Sequence, residues 1–397
     1  MVESGSLTIT DAQVWAGKSK GFVQRDLTIV DGMVSDKASD AGETMDGSGK
    51  WIIPGLIDAH FHAYAVGMDG FENERGPLSF AALNGALRLE RALTRGFTAV
   101  RDVAGGDIGL QNAVNAGFFR SPRYLFTGPA MSQTCGHGDP RSEHVDVCFS
   151  HGHMCEIVDG VDAIRLAVRD RLRTGAHAIK VMTSGGVFSL TDPVRVPQYS
   201  GEELRAASEE ATRRGSYVTA HSYSSESVMH SIENGVSCIE HGNLIDDATA
   251  QAMAKHNAFL VPTLATYNAM DRRGAALGLN PVSLAKNSEV LSKGQEAIRM
   301  ALAAGVRVGF GTDLMGDMED EQLNGIRLQV DAIGAAETLH SMTAANADLL
   351  RDRKLGNVDA GAYGDAVVLN ADPISEPAAL WEQDARHAIV QRGRLVR

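Results

Sequence analysis

The chain has 397 residues, 44% of them hydrophobic and 22% charged, and carries a formal net charge of −13. That length suits one large α/β unit plus a modest second one, and the acidic balance excludes nucleic acid or an anionic membrane surface as a general partner. No apolar run reaches transmembrane length and no basic leader precedes an apolar segment, so a cytoplasmic protein is expected. The four cysteines, Cys135, Cys148, Cys155 and Cys238, are too few and too clustered for a disulfide framework and read as reduced thiols.

Residues 7 to 50 alternate short β-rich pieces, Leu7 to Ile9 and Phe22 to Val30, with Gly and Asp turns such as Asp31-Gly32. The same texture returns in Asp365 to Leu369 and His387 to Leu395. Neither end makes a full sheet alone, so the two are expected to join in one small β-sandwich. Between them the pattern becomes strand, helix, strand. Eight apolar strand candidates stand at Ile52–His60, Thr98–Val103, Tyr124–Met131, Ala178–Met182, Tyr217–His221, Cys238–His241, Phe259–Leu264 and Val306–Asp313. The helical segments often stop at a glycine, at Gly96, Gly175, Gly215, Gly235 and Gly305. The fold expected is α/β, a (β/α)8 TIM barrel over residues 53–355, inserted into a sandwich built from residues 1–52 and 356–397.

The chemistry is read from the polar residues that close those strands, because a barrel of this type carries its active site at their carboxyl ends. Alternate residues of a strand face the same way, so His60 and His62 can present both imidazoles together, with Asp58 close enough to support them. Lys180, His221, His241 and Asp313 end four later strands. Each alone has an ordinary explanation as a paired lysine, a core histidine or a helix cap. Together, four imidazoles and a carboxylate are the donor types that hold zinc or a similar divalent ion. An ammonium there is repelled by metal and costly to bury. A neutral amine is one escape for Lys180, and carbamylation by carbon dioxide is another.

The order His-x-His, Lys, His, His, Asp, with Glu240-His241-Gly242-Asn243 and Gly311-Thr312-Asp313, resembles the amidohydrolase superfamily with a binuclear metal centre. Ser132 to Asp139, Ser184-Gly185-Gly186-Val187, Thr191-Asp192-Pro193 and Val261 to Tyr267 are similar to a narrower group. That imidazolonepropionase-like group holds Xaa-Pro dipeptidases (prolidases), carboxypeptidase-like enzymes and ochratoxin-degrading amidases. One departure is Cys135, where relatives commonly have glycine.

The resemblance implies two divalent ions, zinc being expected. His60, His62 and Asp313 would bind one, His221 and His241 the other, and carbamylated Lys180 would bridge them together with a hydroxide. Such a centre makes hydroxide available near neutral pH and polarises the scissile carbonyl. Asp313 would shuttle the proton to the leaving amine. His137 and Tyr267 are candidates for holding the substrate's carbonyl or terminal carboxylate, and Arg195 is a further carboxylate partner. Cys148-x-x-His151-x-His153-x-Cys155 could be drawn as a separate zinc site, but its spacing is not that of a common zinc module, and a lid over the barrel mouth is the simpler role.

The activity expected is hydrolysis of dipeptides or N-acyl amino acids that end in proline or a hydrophobic residue, ochratoxin-like amides included. The partner is a small molecule, and the assembly expected is a homo-oligomer. The alternatives are hydrolysis of a cyclic amide or urea, and a scaffold that has lost its chemistry. The complete ligand set argues against the last.

Overall fold

A computed structural model describes residues 4–37, 42–141, 144, 147–189 and 192–396; Thr191 of the motif above lies outside the described residues. Five strands come first: β1 (Leu7–Trp15), β2 (Phe22–Val30), β3 (Met33–Ser35), β4 (Glu43–Asp46) and β5 (Trp51–Pro54). Ten lie in the middle: β6 (Leu56–Phe61), β7 (Phe97–Asp102), β8 (Arg123–Phe126), β9 (Ala130–Ser132), β10 (Cys155–Ile157), β11 (Ile179–Met182), β12 (Val218–Ser224), β13 (Cys238–Leu244), β14 (Phe259–Val261) and β15 (Arg307–Val308). Three close the chain: β16 (Ala366–Leu369), β17 (Arg386–Gln391) and β18 (Arg394–Leu395).

Both ends of the chain share one eight-stranded sheet, in the order β18-β17-β16-β5-β1-β2-β3 with β4 against β1. β16 lies antiparallel to β5, Leu369 opposite Trp51. Leu7, Ile9, Val14 and Leu27 pack in one cluster with Val368 and Val390, so residues far apart in sequence bury a common apolar face. Asp31 and Gly32 turn β2 into β3 with φ of 50° and 77°, as a tight hairpin of this twist requires.

The middle strands are parallel and form two sheets, β6-β7-β8 and β10-β9-β11-β12-β13-β14-β15. Their faces are buried throughout, which is why they read as continuous apolar runs. Helices follow the strands: α1 (Gly70–Arg75), α2 (Leu78–Thr94), α3 (Ile108–Ala116), α4 (Val161–Arg173), α5 (Gly201–Arg213), α6 (Ser225–Glu233), α7 (Asp247–Lys255), α8 (Leu264–Arg273), α9 (Pro281–Ala303) and α10 (Gln322–Ile333). The sequence sets their ends: Ser200 and Glu203 form a capping box at the start of α5, and the five glycines named above all take positive φ, from 73° to 93°. No helix among the described residues is long and apolar enough to cross a membrane.

Two joins connect the parallel sheets. The bent segment Arg123 to Ser132 pairs with β7 through its first half and with β11 through its second, and the His177 amide donates to the Phe126 carbonyl at 2.7 Å. At the other side Ala59 donates to the Phe310 carbonyl at 3.0 Å, and Asp313 donates to the His60 carbonyl at 2.8 Å. Residues 306–313, expected as one strand, therefore pair with β14 through 307–309 and with β6 through 310–313.

Three boundaries differ from expectation. The run Ile52 to His60 is two strands in two sheets, broken at Gly55, where a Cβ would stand 2.0 Å from Thr98 Oγ1. The run Tyr124 to Met131 is broken at Gly128, with φ 75°. Leu264 opens α8 rather than closing a strand, so Tyr267 is helical.

Candidate metal centre

Strand ends bring the six expected ligands to the floor of a single cavity of about 410 Å³. His60 Nε2 lies 3.3 Å and His62 Nε2 2.9 Å from Asp313 Oδ1. These three side chains are buried, and their ligand atoms all lie within 4.8 Å of one another. His221 and His241 meet a short way off, Nδ1 to Nε2 at 2.9 Å. The His60 and His241 rings, 4.9 Å apart, join the two groups. Lys180 is 2% exposed and has no hydrogen-bond or ion-pair partner among the described residues.

The backbone is distorted where the ligands sit. The β6–β7 ladder slips between Asp58 and Phe61, a bulge that re-aims the histidines. His241 and Asp313 take φ of 73° and 54°, left-handed conformations that cost energy in a non-glycine residue. Gly311 is demanded by close approach, since a Cβ there would lie 2.4 Å from His60 Cβ.

Buried partners fix the ligands' direction. His60 Nδ1 donates to Glu240 Oε2 at 2.8 Å, which leaves Nε2 for the floor. Glu240 is held in turn by Arg101, whose Nη2 donates at 2.5 Å while Nε donates to the Ala59 carbonyl at 2.7 Å. Asp58 accepts from the His60 and Thr312 amides, both at 3.1 Å, from the Thr312 hydroxyl at 2.5 Å and from Gln322 at 3.0 Å. His241 Nδ1 meets Thr263 Oγ1 and the Tyr267 hydroxyl, each at 2.8 Å.

Electrostatics suit metal binding. Burial above all holds His221 and His241 well below the ordinary histidine range, so both keep the neutral form a metal needs. Asp313 lies well below the carboxylate range, because His60 and the hydrogen bonds from His60 and His62 outweigh the opposing effect of burial. Burial likewise pulls Lys180 down, against the charges of Glu240 and Asp313. Neutral imidazoles, an anionic carboxylate and an unpartnered lysine at one point form a donor set that fits divalent ions.

The remaining candidates are divided. His137 lines the cavity with its ring 4.1 Å from that of His221. The Ser189 hydroxyl donates to Asp192, so its lone pair accepts His137 Nδ1–H at 2.9 Å and Nε2 is left for the cavity. Tyr267 is fully buried and does not line the cavity; it reaches it through His241 and through the Tyr223 hydroxyl, 2.8 and 2.9 Å from its own. Arg195 points elsewhere, with its half-exposed guanidinium 2.8 Å from Glu289.

Among the cavity-lining residues that the sequence reading passed over are Tyr223 and Arg141. Tyr223 stands two residues after His221 on β12, where strand alternation places both on one face, with ring centroids 4.8 Å apart. Arg141 is held by Asp139 at 2.7 Å and lies in a loop with no periodic signal. Cys148, His151, His153 and Cys155 form no metal-sized group among the described residues. His153 Nε2 instead meets the Gly76 carbonyl at 2.8 Å, and Met154 and Cys155 line the cavity.

A parallel α/β core carries His60, His62 and Asp313 in a group that could hold a metal ion, and the family model for amidohydrolases matches residues 51–396; the chain belongs to the amidohydrolase family. It is 34% identical over 281 residues to an ochratoxinase of Aspergillus niger, an alignment that takes in 66% of this chain and 58% of that enzyme's length. Among solved structures, a prolidase complexed with N-methylphosphonate-L-proline is 37% identical, covers 99% of both chains and superposes with a TM-score of 0.94. A Xaa-Pro dipeptidase with bound methionine in its active site is 25% identical, covers 98% of this chain and 99% of its own, and gives a TM-score of 0.87.

Proposed function

We propose that the chain hydrolyses the amide bond of dipeptides or N-acyl amino acids ending in proline or a hydrophobic residue, ochratoxin-like amides included. The observation that carries this is the cavity itself, with six ligand-type side chains on its floor and Met68, Phe71, Met182, Val187, Phe188 and Met315 in its walls. The prolidase complexed with N-methylphosphonate-L-proline supports a proline end, and the ochratoxinase relative supports ochratoxin-like amides.

His60, His62 and Asp313 would hold one divalent ion, His221 and His241 a second, and Lys180 as a carbamate both; zinc suits the donor set. Such ions, when bound, lower the pKa of a water and polarise the scissile carbonyl. Asp313, kept anionic by its neighbours, accepts the water's proton and returns it to the leaving nitrogen. His137, once its Nε2 takes up a proton, donates to the substrate's carbonyl or terminal carboxylate, and Arg141 adds its charge on the same wall. Tyr267 acts by holding His241.

In this reading β6 to β15 and their helices are a closed (β/α)8 barrel over residues 53–355, and residues 1–52 with 356–397 form a sandwich; the two hydrogen-bonded joins and the shared terminal core support it. The proposed location is the cytoplasm, which four free cysteines suit. The proposed partner is a second copy, covering Phe80 and Leu83 of α2, which are 59% and 74% exposed.

The test is release of free amino acid from Xaa-Pro, Xaa-Phe and Xaa-Leu dipeptides and their N-acyl counterparts, with zinc and with chelator. Metal-dependent release is expected. A protein shown to hold two metals and releasing nothing would redirect the assignment to cyclic amides and ureas.

A further inference from the structure

We propose that Glu74 is the amine receptor of this cavity, taking the free α-ammonium of a dipeptide and so favouring dipeptides over N-acyl amino acids. The inference rests on the amide-hydrolase reading above and decides between its two substrate classes.

Glu74 lies in the last turn of α1, is 6% exposed, and lines the cavity. Its Oε2 accepts from the Met154 amide at 2.9 Å and the Cys155 amide at 3.2 Å. Its Oε1 accepts from no backbone or side-chain nitrogen among the described residues, and no cation pairs with it. The guanidinium of the adjacent Arg75 reaches the Cys148 carbonyl at 3.3 Å and sits 5.1 Å over the Phe149 ring. Cys155, whose thiol also meets the carboxyl, feels the Lys180 charge against the dominant effect of its own burial. The carboxyl thus lines the same cavity as the ligand-type side chains of the floor.

Other carboxylates of the lining are engaged. Asp313 belongs to the metal site, Asp139 is clamped on Arg141, and Asp69 caps α1 by accepting from the Glu72 amide at 3.0 Å. Glu74 is left as a buried carboxyl that no cation pairs with among the described residues. Burial is also the chief reason its pKa is pushed up to about 7, the mark of a charge lacking its partner. A dipeptide presents an ammonium on the acyl side of its scissile bond, and an N-acyl amino acid presents none. An ammonium at Oε1 would supply the absent charge through a charge-assisted hydrogen bond.

A purely structural role is the competing account, since Glu74 also fastens the loop that carries Met154 and Cys155. Glu74→Gln separates the two, because the amide oxygen still accepts from those backbone N–H groups while the charge is gone. The experiment compares kcat and KM, at pH 7, for a Xaa-Pro dipeptide and its N-acetyl derivative, with metal content and melting temperature measured alongside. In E74Q we expect KM for the dipeptide to rise by roughly ten- to a hundredfold, with kcat and the N-acetyl substrate changed by less than about threefold. Equal losses on both substrates, or no loss on either, would overturn the role of Glu74 while leaving the hydrolase reading intact. A wild-type enzyme inactive on both substrates would overturn the hydrolase reading itself.

Discussion

The floor and the wall of the cavity are built differently. On the floor, His60, His221, His241 and Lys180 sit on or at the ends of buried strands, and His60, His241 and Asp313 are each held by at least one further buried side chain. The wall is short α1, the loop around Arg141 and the segment leading to Cys155, fastened by a few hydrogen bonds to backbone groups. The difference teaches where each property resides. A rigid floor fixes reacting atoms to within a fraction of an ångström, whereas a loop-built wall decides which molecule is admitted.

The largest expected effects therefore lie on the floor. Asp313→Asn removes both the proposed carboxylate ligand and the proposed proton shuttle, and kcat should fall by roughly a thousandfold or more. Metal analysis by mass spectrometry should show loss of bound ion at the same time. A variant that keeps wild-type kcat would remove Asp313 from the chemistry.

Glu240→Gln tests the support beneath that floor. It leaves the fully buried Arg101 guanidinium without its anionic partner, which should cost about 3 kcal/mol, read as a lowered denaturation midpoint. It also loosens His60, so metal affinity should drop roughly tenfold. An unchanged midpoint would mean that Tyr217, Cys238 and the Ala59 carbonyl suffice for Arg101.

This contrast also explains what could be read in advance. His60, His62, Lys180, His221, His241 and Asp313 were legible because a parallel strand is apolar until it reaches the active face, so each polar ending stands out. The same alternation that pairs His60 with His62 pairs His221 with Tyr223, and that signal was present but unused. Arg101, a charged residue inside the strand Thr98 to Val103, was a similar clue. The break at Gly55 was not legible, because it depends on Thr98, far along the chain. Arg195 and Arg141 show the limit for loops: both are single arginines near a motif, and only tertiary structure shows that one faces Glu289 and the other the cavity.

The wall carries the pH dependence of stability that can be assigned to one residue. Burial raises Glu74 from its ordinary 4.5 to about 7. The unfolded chain gives up this proton near pH 4.5 and the folded one near 7, so folding is favoured below 4.5 and loses that contribution as pH climbs to 7. The loss is about 3 kcal/mol. The uncharged amide of E74Q carries no such burden, so the melting temperature of this variant relative to wild type should shift upward between pH 4.5 and pH 8. A difference that does not change with pH would show that the free carboxyl is solvated.

The two arginines offer a smaller contrast. Arg141→Ala should raise KM about tenfold for substrates with a free terminal carboxylate, and Arg195→Ala should leave kcat/KM within about twofold. Equal effects of the two would place the carboxylate site elsewhere on the wall.

The smallest expected effect concerns the loop that carries His137. Cys135 takes φ of 61°, the left-handed region that glycine enters freely. The thiol is exposed and unpaired, while the backbone amide donates to Asp139 Oδ2 at 3.0 Å, a bond any residue could make. The side chain therefore contributes strain without a compensating contact, worth about 1 kcal/mol for a non-glycine residue in this conformation. Cys135→Gly removes that strain but frees the unfolded chain, so the net gain should be about 0.5 kcal/mol, read from the denaturation midpoint. Because the Asp139–Arg141 clamp and His137 keep their positions, kcat/KM should stay within about twofold. A loss of stability or activity instead would mean that the Cys135 side chain, and not the turn, holds His137 against the floor.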